Sequence, residues 1–502
     1  FRKMFMPARR TCLHVLSTID FGVSKSRMKA VPAAASQHWM TKAPPNAPIE
    51  EPIAMAARKK TTLRSSPHLG KLRRRIKALA ETAIAAAERI AEFAEPPMKE
   101  FKSARLLADR LSEQDFKVSF PWKDIPTAFK AVRGTGRPRI ALLAEYDALP
   151  DCGKRSGQWG HGCGHNLLGV ASALGGIVAA DVLGGAGRGG QIIVFGTPAE
   201  EALSGKVLMA EKGAFKGLDA VLAWHPGAAT KAMLAGGTAM TSMSFRFKGK
   251  TAHAAGAPHK GRSALDGAIL TDIAVNYMRE HTEDNVRIHS VIPNGGSAPN
   301  VVPEDADIWY YVRGRDRKQV DELIDRVINC AKGAAMATET RVRTLFHDSV
   351  AERIQNQTLA EMMDSVLRRC KPPRFTPAEA RAAAKILPGK KYKTEIEPIS
   401  TEQGKGSSDE DNVSWFAPLG RISVACVPTD TIGHHRQYAE AIRTPGAHRG
   451  MLKAAEYLAA GAVELVLNRP LLTSAKKEYK QMMKGKRYKL PRKTAERAYG
   501  DA

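Results

Sequence analysis

Gly160-His161-Gly162-Cys163-Gly164-His165-Asn166, followed by the small and apolar run 167–180, is the stretch on which the reading of this chain turns. It puts a thiol and an imidazole, Cys163 and His165, on a glycine-rich turn. The run behind it reads as a buried helix. A turn that opens a buried helix is a poor place for polar side chains without partners. A thiolate and an imidazole together suit a zinc-like ion. Two other readings of the pair are a Cys152–Cys163 disulfide and a thiol nucleophile with His165 as its base. Catalytic Cys/His pairs are usually assembled from distant segments, which disfavours the second.

Outward from this turn the chain alternates strand and helix. Residues 70–115 carry Leu, Ile and Ala at helical spacing. Strand-like runs at 140–144, 191–195 and 219–224 are separated by the 167–180 helix and a helix near 203–213. This is the pattern of an α/β domain with a mainly parallel sheet. In such sheets the site lies beyond the carboxyl ends of strands, where Glu200, Glu201 and His225 fall. From 240 to 348 the order becomes strand 243–247, helix 262–280, strands 286–292 and 305–313, helix 317–335 and strand 340–347. That β-α-β-β-α-β order predicts an inserted ferredoxin-like module. The α/β domain then resumes: 371–412 reads as irregular, 422–427 as a strand and 447–467 as a last helix. The expected layout is a basic extension over 1–69, a first catalytic segment over 70–239, the insert over 240–349, a second catalytic segment over 350–468 and a basic tail over 469–502.

The chain has 502 residues and a formal net charge of +26. Residues 1–80 hold 17 Lys and Arg against 3 Asp and Glu, and 469–502 hold 11 against 3, so the body between them is nearly balanced. Charge placed in the ends favours weak polyanion contact through solvated tails over a dedicated nucleic-acid surface. The six cysteines are scattered, which points to a reducing compartment, the cytoplasm. No window reads as a membrane span, because the best one stops at Asp181. Residues 1–54, arginine-bearing and poor in acidic residues, read either as an organelle-targeting segment or, more simply, as an upstream extension with the functional start near Met55.

Three features turn the opening pair into a candidate cluster: Glu200-Glu201 after Pro198, His225 after Trp224, and His434-His435 far downstream. Each alone means little. Together with Glu145-Tyr146-Asp147-Ala148-Leu149, Ala252-His253-Ala254-Ala255, Pro299-Asn300-Val301-Val302 and His448-Arg449-Gly450-Met451, they resemble the dinuclear-metal aminoacylase and carboxypeptidase family in its amidohydrolase branch. The resemblance runs from about residue 140 to 472.

The resemblance implies a metallopeptidase-like catalytic domain and an inserted lid and dimerisation domain. It implies two divalent ions, Mn2+ or Zn2+, held by Cys163, His165, Glu201, His225 and His434, with Cys163 as the bridging thiolate. Asp147 would orient a ligand, and Glu145 has no assigned role. Glu200 would act as general base on an activated water. His253, reaching across a dimer interface, would stabilise the oxyanion, and Asn300 and Arg313 would bind substrate. The implied activity is hydrolysis of an amide between an acyl or aroyl group and an amino acid, aminobenzoyl-glutamate among the candidates. N-acyl-amino-acid deacylation and aryl-dipeptide cleavage stay open. So do a homodimer, a heterodimer with a related chain, and a basic-tailed nucleic-acid or membrane-surface binding protein on an inactive scaffold.

Overall fold

The computed structural model describes residues 68–187, 189–202 and 204–491. The expected N-terminal extension lies outside these residues except for its last two positions, as do the final residues of the expected tail. The strands are β1 (Lys117–Ser119), β2 (Phe129–Thr135), β3 (Arg139–Ala144), β4 (Gly190–Gly196), β5 (Ala220–Gly227), β6 (Lys231–Met233), β7 (Ala239–Lys248), β8 (Arg287–Asn294), β9 (Asp305–Gly314), β10 (Arg341–Val350) and β11 (Leu419–Ala425).

Seven of them form one sheet in the order β1-β2-β4-β3-β5-β11-β6. The four central strands β4, β3, β5 and β11 run parallel. The outer junctions, β1 to β2, β2 to β4 and β11 to β6, are antiparallel. The sheet is therefore mixed, with a parallel centre, where a mainly parallel one was expected. Short connections explain the difference. A chain that turns back within a few residues, as between β5 and β6, cannot make a parallel crossover.

The central strands are apolar on both faces. Leu142, Val194 and Leu222 point into a core made with the helices Leu69–Phe93, His165–Gly184 and Pro445–Leu467. Their neighbours Leu143, Ile193 and Val221 point the other way, against Met209 and Phe215. Alternate residues thus feed two cores, which is why these strands read as continuous apolar runs. The helix His165–Gly184 is buried all round because it lies between the sheet and two other helices. A Cβ at Gly176 would sit 2.5 Å from a Val194 methyl, so the small residues let this helix lie close on the strands. By length and composition alone the helix could cross a membrane, but 89% of its apolar window is buried in the protein. Asp181 does not end it: its carboxylate is held by Arg75 and Arg133.

The second sheet has the order β10-β7-β9-β8 and is antiparallel throughout. The helices Ala264–Arg279 and Arg317–Ala337 pack on it to form a separate core around Phe245, Phe247, Ile308 and Tyr310. This is the ferredoxin-like order read from the sequence.

The 70–115 segment is two helices, Leu69–Phe93 and Phe101–Ser112, broken at Pro96-Pro97. Within 371–412, Thr376 and Glu379 close a capping box that starts a helix, Pro377–Ala384. The basic tail, read as partly helical after Pro470, does form a helix, Arg469–Met482; what differs from a solvated tail is that it buries Leu472 and Ala475 in the main core. Glu478 accepts the amides of Gln357 and Thr358 at the start of the helix Gln357–Cys370, at 2.5 and 2.9 Å. A chain ending at residue 468 is predicted to unfold at a clearly lower temperature, since it loses the burial of Leu472 and this cap, together about 3 kcal/mol. An unchanged melting temperature by circular dichroism would contradict this docking.

Candidate metal centre

The parallel strands deliver their carboxyl ends to one place. β3 leads into Glu145 and Asp147, β4 into Glu200 and Glu201, and His225 lies near the end of β5. The glycine turn meets them from the side. Gly164 adopts φ 82°, and a Cβ there would lie 2.8 Å from Pro226, so only glycine lets the helix begin at His165 this close to β5. His434, itself at φ 56°, comes from the loop after β11, and its amide donates to Gly162 O at 2.9 Å.

The ligand atoms converge as two sets. Cys163, His165 and His225 have their donor atoms within 4.8 Å of one another, and so do Cys163, Glu201 and His434. Cys163 belongs to both. Cys163 Sγ is 3.3 Å from His225 Nε2, and His434 Nε2 is 3.6 Å from a Glu201 oxygen. A third set, Glu145, His165 and Glu200, adjoins them. All five residues read as metal ligands are thus brought together.

Hydrogen bonds aim these atoms inward. His165 Nδ1 bonds Asp147 Oδ1 at 2.8 Å, which turns its Nε2 to the cluster. His225 Nδ1 donates to Pro226 O at 2.7 Å, freeing Nε2 in the same way. Such outer partners fix the tautomer of a metal-binding histidine. His165 Nε2 and Glu201 Oε1 are buried with no hydrogen-bond partner. Buried polar atoms are rarely left so, and a cation among them satisfies both. The electrostatics agree. Burial, reinforced by Glu200 and Asp147 and opposed by His165, pushes Glu201 up to about 8. Burial and Glu145 push Glu200 up to about 7. Burial and the Glu201 charge also raise the Cys163 thiol. Burial, with Arg421 and His165 nearby, lowers His225 to about 3, leaving a neutral imidazole. Glu201 and Cys163 face no lysine or arginine partner among the described residues, and N, O and S donors of this kind fit a divalent metal.

Glu145 already has a partner. Lys206 is fully buried and contacts Glu145 Oε1 at 2.8 Å and Asp409 Oδ1 at 2.5 Å. Lys206 and His165 outweigh burial and hold Glu145 near 2. Beside it, Arg353 contacts Glu410 and Asp411, and Arg421 contacts Glu410. The sequence reading did not find Lys206, Arg353 or Arg421.

The centre opens into a cavity of about 680 Å³ lined by Glu200, Tyr311, Arg313, Glu402, Lys405 and Ser408 among others. Ser408 donates to Glu200 Oε1 at 2.6 Å. Arg313 reaches in from β9, donates to Ser407 Oγ at 2.7 Å and lies over the Tyr311 ring. It makes no ion pair among the described residues. His253 and Asn300 do not line this cavity. They sit together at an exposed edge of the inserted domain, where Ala254 N donates to Asn300 O. His161 bonds Ile90 O inside the core, and His435 caps the helix Arg436–Ala441 by accepting the Gln437 amide. Cys152 and Cys163 are unpaired, so the alternative disulfide does not form.

Residues 238–339 match the peptidase dimerisation domain family. Over 448 residues the chain is 35% identical to a subunit of the p-aminobenzoyl-glutamate hydrolase of Escherichia coli strain K12, covering 81% of this chain and 93% of that one. It is 32% identical over 372 residues to the Xaa-Arg dipeptidase of Mus musculus, covering 72% and 79%. In fold it is similar to an aminobenzoyl-glutamate utilization protein from Klebsiella pneumoniae, with TM-score 0.57, 20% identity and 78% and 98% of the two chains covered. It is also similar to a Bacillus subtilis dinuclear metal binding peptidase of the M20 family, with TM-score 0.54, 18% identity and 78% and 99% covered.

The role of Asp147 is open to test. Asp147→Asn is predicted to lower divalent-metal affinity about 10–100-fold, because the amide cannot serve both His165 and the Glu201 backbone. Competition titration with a chelating dye measures it, and unchanged affinity would contradict the assignment.

Proposed function

The chain belongs to the M20 family of dinuclear-metal peptidases and is a metal-dependent amide hydrolase; on that premise we propose that it removes an acidic amino acid, such as glutamate, from an N-acyl or N-aroyl group. The observation that carries this is the pair of ligand sets sharing Cys163, placed beside Glu200 at the base of a cavity that also holds Arg313. Cys163, His165, Glu201, His225 and His434 would hold two divalent ions, Zn2+ or Mn2+. When bound, the ions supply a water of lowered pKa and a polarised carbonyl.

The remaining work falls to the chain's own residues. Glu200 takes the proton from the attacking water and passes it to the leaving nitrogen. It lies next to the ligand atoms and has one oxygen tied to Ser408, so the other is free for the proton. Arg313 turns its guanidinium to the substrate carboxylate. Lys405, also without an ion-pair partner among the described residues, supports a second carboxylate. These two cations favour an acidic leaving group, in keeping with the name of the E. coli relative. Glu402, on the same wall, is what favours the second reading, an arginyl leaving group like that named for the mouse relative. Parallel assays of aminobenzoyl-glutamate and an Xaa-Arg dipeptide separate the two.

The cavity takes no oxyanion donor from His253 of its own chain, and His253 with Asn300 stands exposed on the dimerisation domain. This supports a homodimer in which each chain lends both residues to its partner's site. The unpaired cysteines Cys152, Cys163, Cys330, Cys370 and Cys426 support work in the cytoplasm.

Glu200→Gln is predicted to keep two metal equivalents and to lose about 10²–10⁴-fold in kcat; wild-type turnover in this variant would contradict the role. His253→Ala should hydrolyse slowly with its metal intact. Mixing His253→Ala and Glu200→Gln chains should restore part of the activity, since one site in a mixed dimer then has both groups. No recovery after verified exchange of chains would contradict a shared site.

A further inference from the structure

Glu200 and Glu201 must point different ways, one to a proton and one to metal. The backbone achieves this through Ala199, a fully buried residue at φ 56°. That conformation is unfavourable for any residue but glycine, and it persists only where the surroundings impose it. Three bonds surround it. Ala199 N donates to Glu100 Oε1 at 2.8 Å. Glu201 N donates to Asp147 Oδ2 at 2.8 Å. Ser408 holds the Glu200 side chain. The amides on both sides of Glu200 therefore end on buried carboxylates.

Asp147 also orients His165, but Glu100 has no such second duty. It is completely buried just before the helix Phe101–Ser112 and forms no ion pair among the described residues. Its second oxygen, Oε2, is buried with no hydrogen-bond partner. A buried carboxyl group with no cation is costly unless it secures something the fold needs. We propose that Glu100 is a positioning residue: its carboxyl group holds the Ala199 amide, fixes the left-handed turn and so aims Glu200 at the cavity. This rests on the reading of Glu200 as the general base.

The test separates reach from acid chemistry. Glu100→Gln keeps an acceptor oxygen at the right distance without the carboxyl group. Glu100→Asp keeps the carboxyl group but is one methylene too short. With kcat, KM and metal content measured on metal-loaded protein, Glu100→Gln should retain most of kcat. Glu100→Asp should fall at least 30-fold with KM changed by less than about threefold. Adding Ala199→Gly to Glu100→Asp should recover about tenfold, because glycine takes this φ without strain. Equal kcat in the Gln and Asp variants, a faster Asp variant, or no recovery with glycine would overturn the proposal. If wild-type protein cleaves no acyl-amino acid, the functional reading fails instead. If Glu200→Gln is as active as wild type, the choice of base fails.

Discussion

The carboxylate of Asp147 binds at both ends: one oxygen to the ring of His165, the other to the backbone amide of Glu201. It sits just beyond β3, between the glycine turn that carries His165 and the β4 end that carries the two glutamates. Neither neighbour could hold its place alone. His165 is the first residue of a helix, free to turn about its side-chain bonds. Glu201 follows a turn that only external bonds maintain. A single buried carboxylate fixes both, and the two ligand sets sharing Cys163 form around that fixed frame.

Charge is the second constraint. Glu145, Asp147, Glu200 and Glu201 crowd one buried site, and repulsion among them would open it without compensation. The protein answers in two ways. Beneath the site, Lys206, Arg353 and Arg421 neutralise the carboxylates that have structural work. At the site itself Glu201 and Cys163, both proposed metal ligands, have no lysine or arginine partner among the described residues. The division explains why Glu145, close to His165, is not among the proposed ligands.

The sequence pattern alone marked the Cys163 and His165 pair on its glycine turn and the strand ends that carry Glu200, Glu201 and His225; the full candidate set, His434 included, was legible only through the resemblance to a family. The parallel sheet centre and the ferredoxin-like insert were legible from hydrophobic period. The parts that support the site were not. Lys206 meets Asp409 across 203 residues, and Ser408 meets Glu200 across 208. Glu100 reads as one acidic residue in an amphipathic helical stretch. No local pattern marks a lysine as buried or a glutamate as an amide acceptor when the partner is so distant. The docked carboxyl end was hidden for a related reason: its basic composition describes its outer face, and the two residues it buries, Leu472 and Ala475, are too few to set a period.

Cys163 is shared by both candidate ligand sets, and we propose that its thiolate belongs to both halves of a dinuclear centre. Cobalt titration of metal-free protein, followed by absorption, tests it most directly. The account predicts two equivalents bound per chain, with thiolate-to-cobalt charge-transfer absorption that is lost in Cys163→Ser. A single equivalent, or two equivalents with no thiolate band in the wild-type protein, would contradict it.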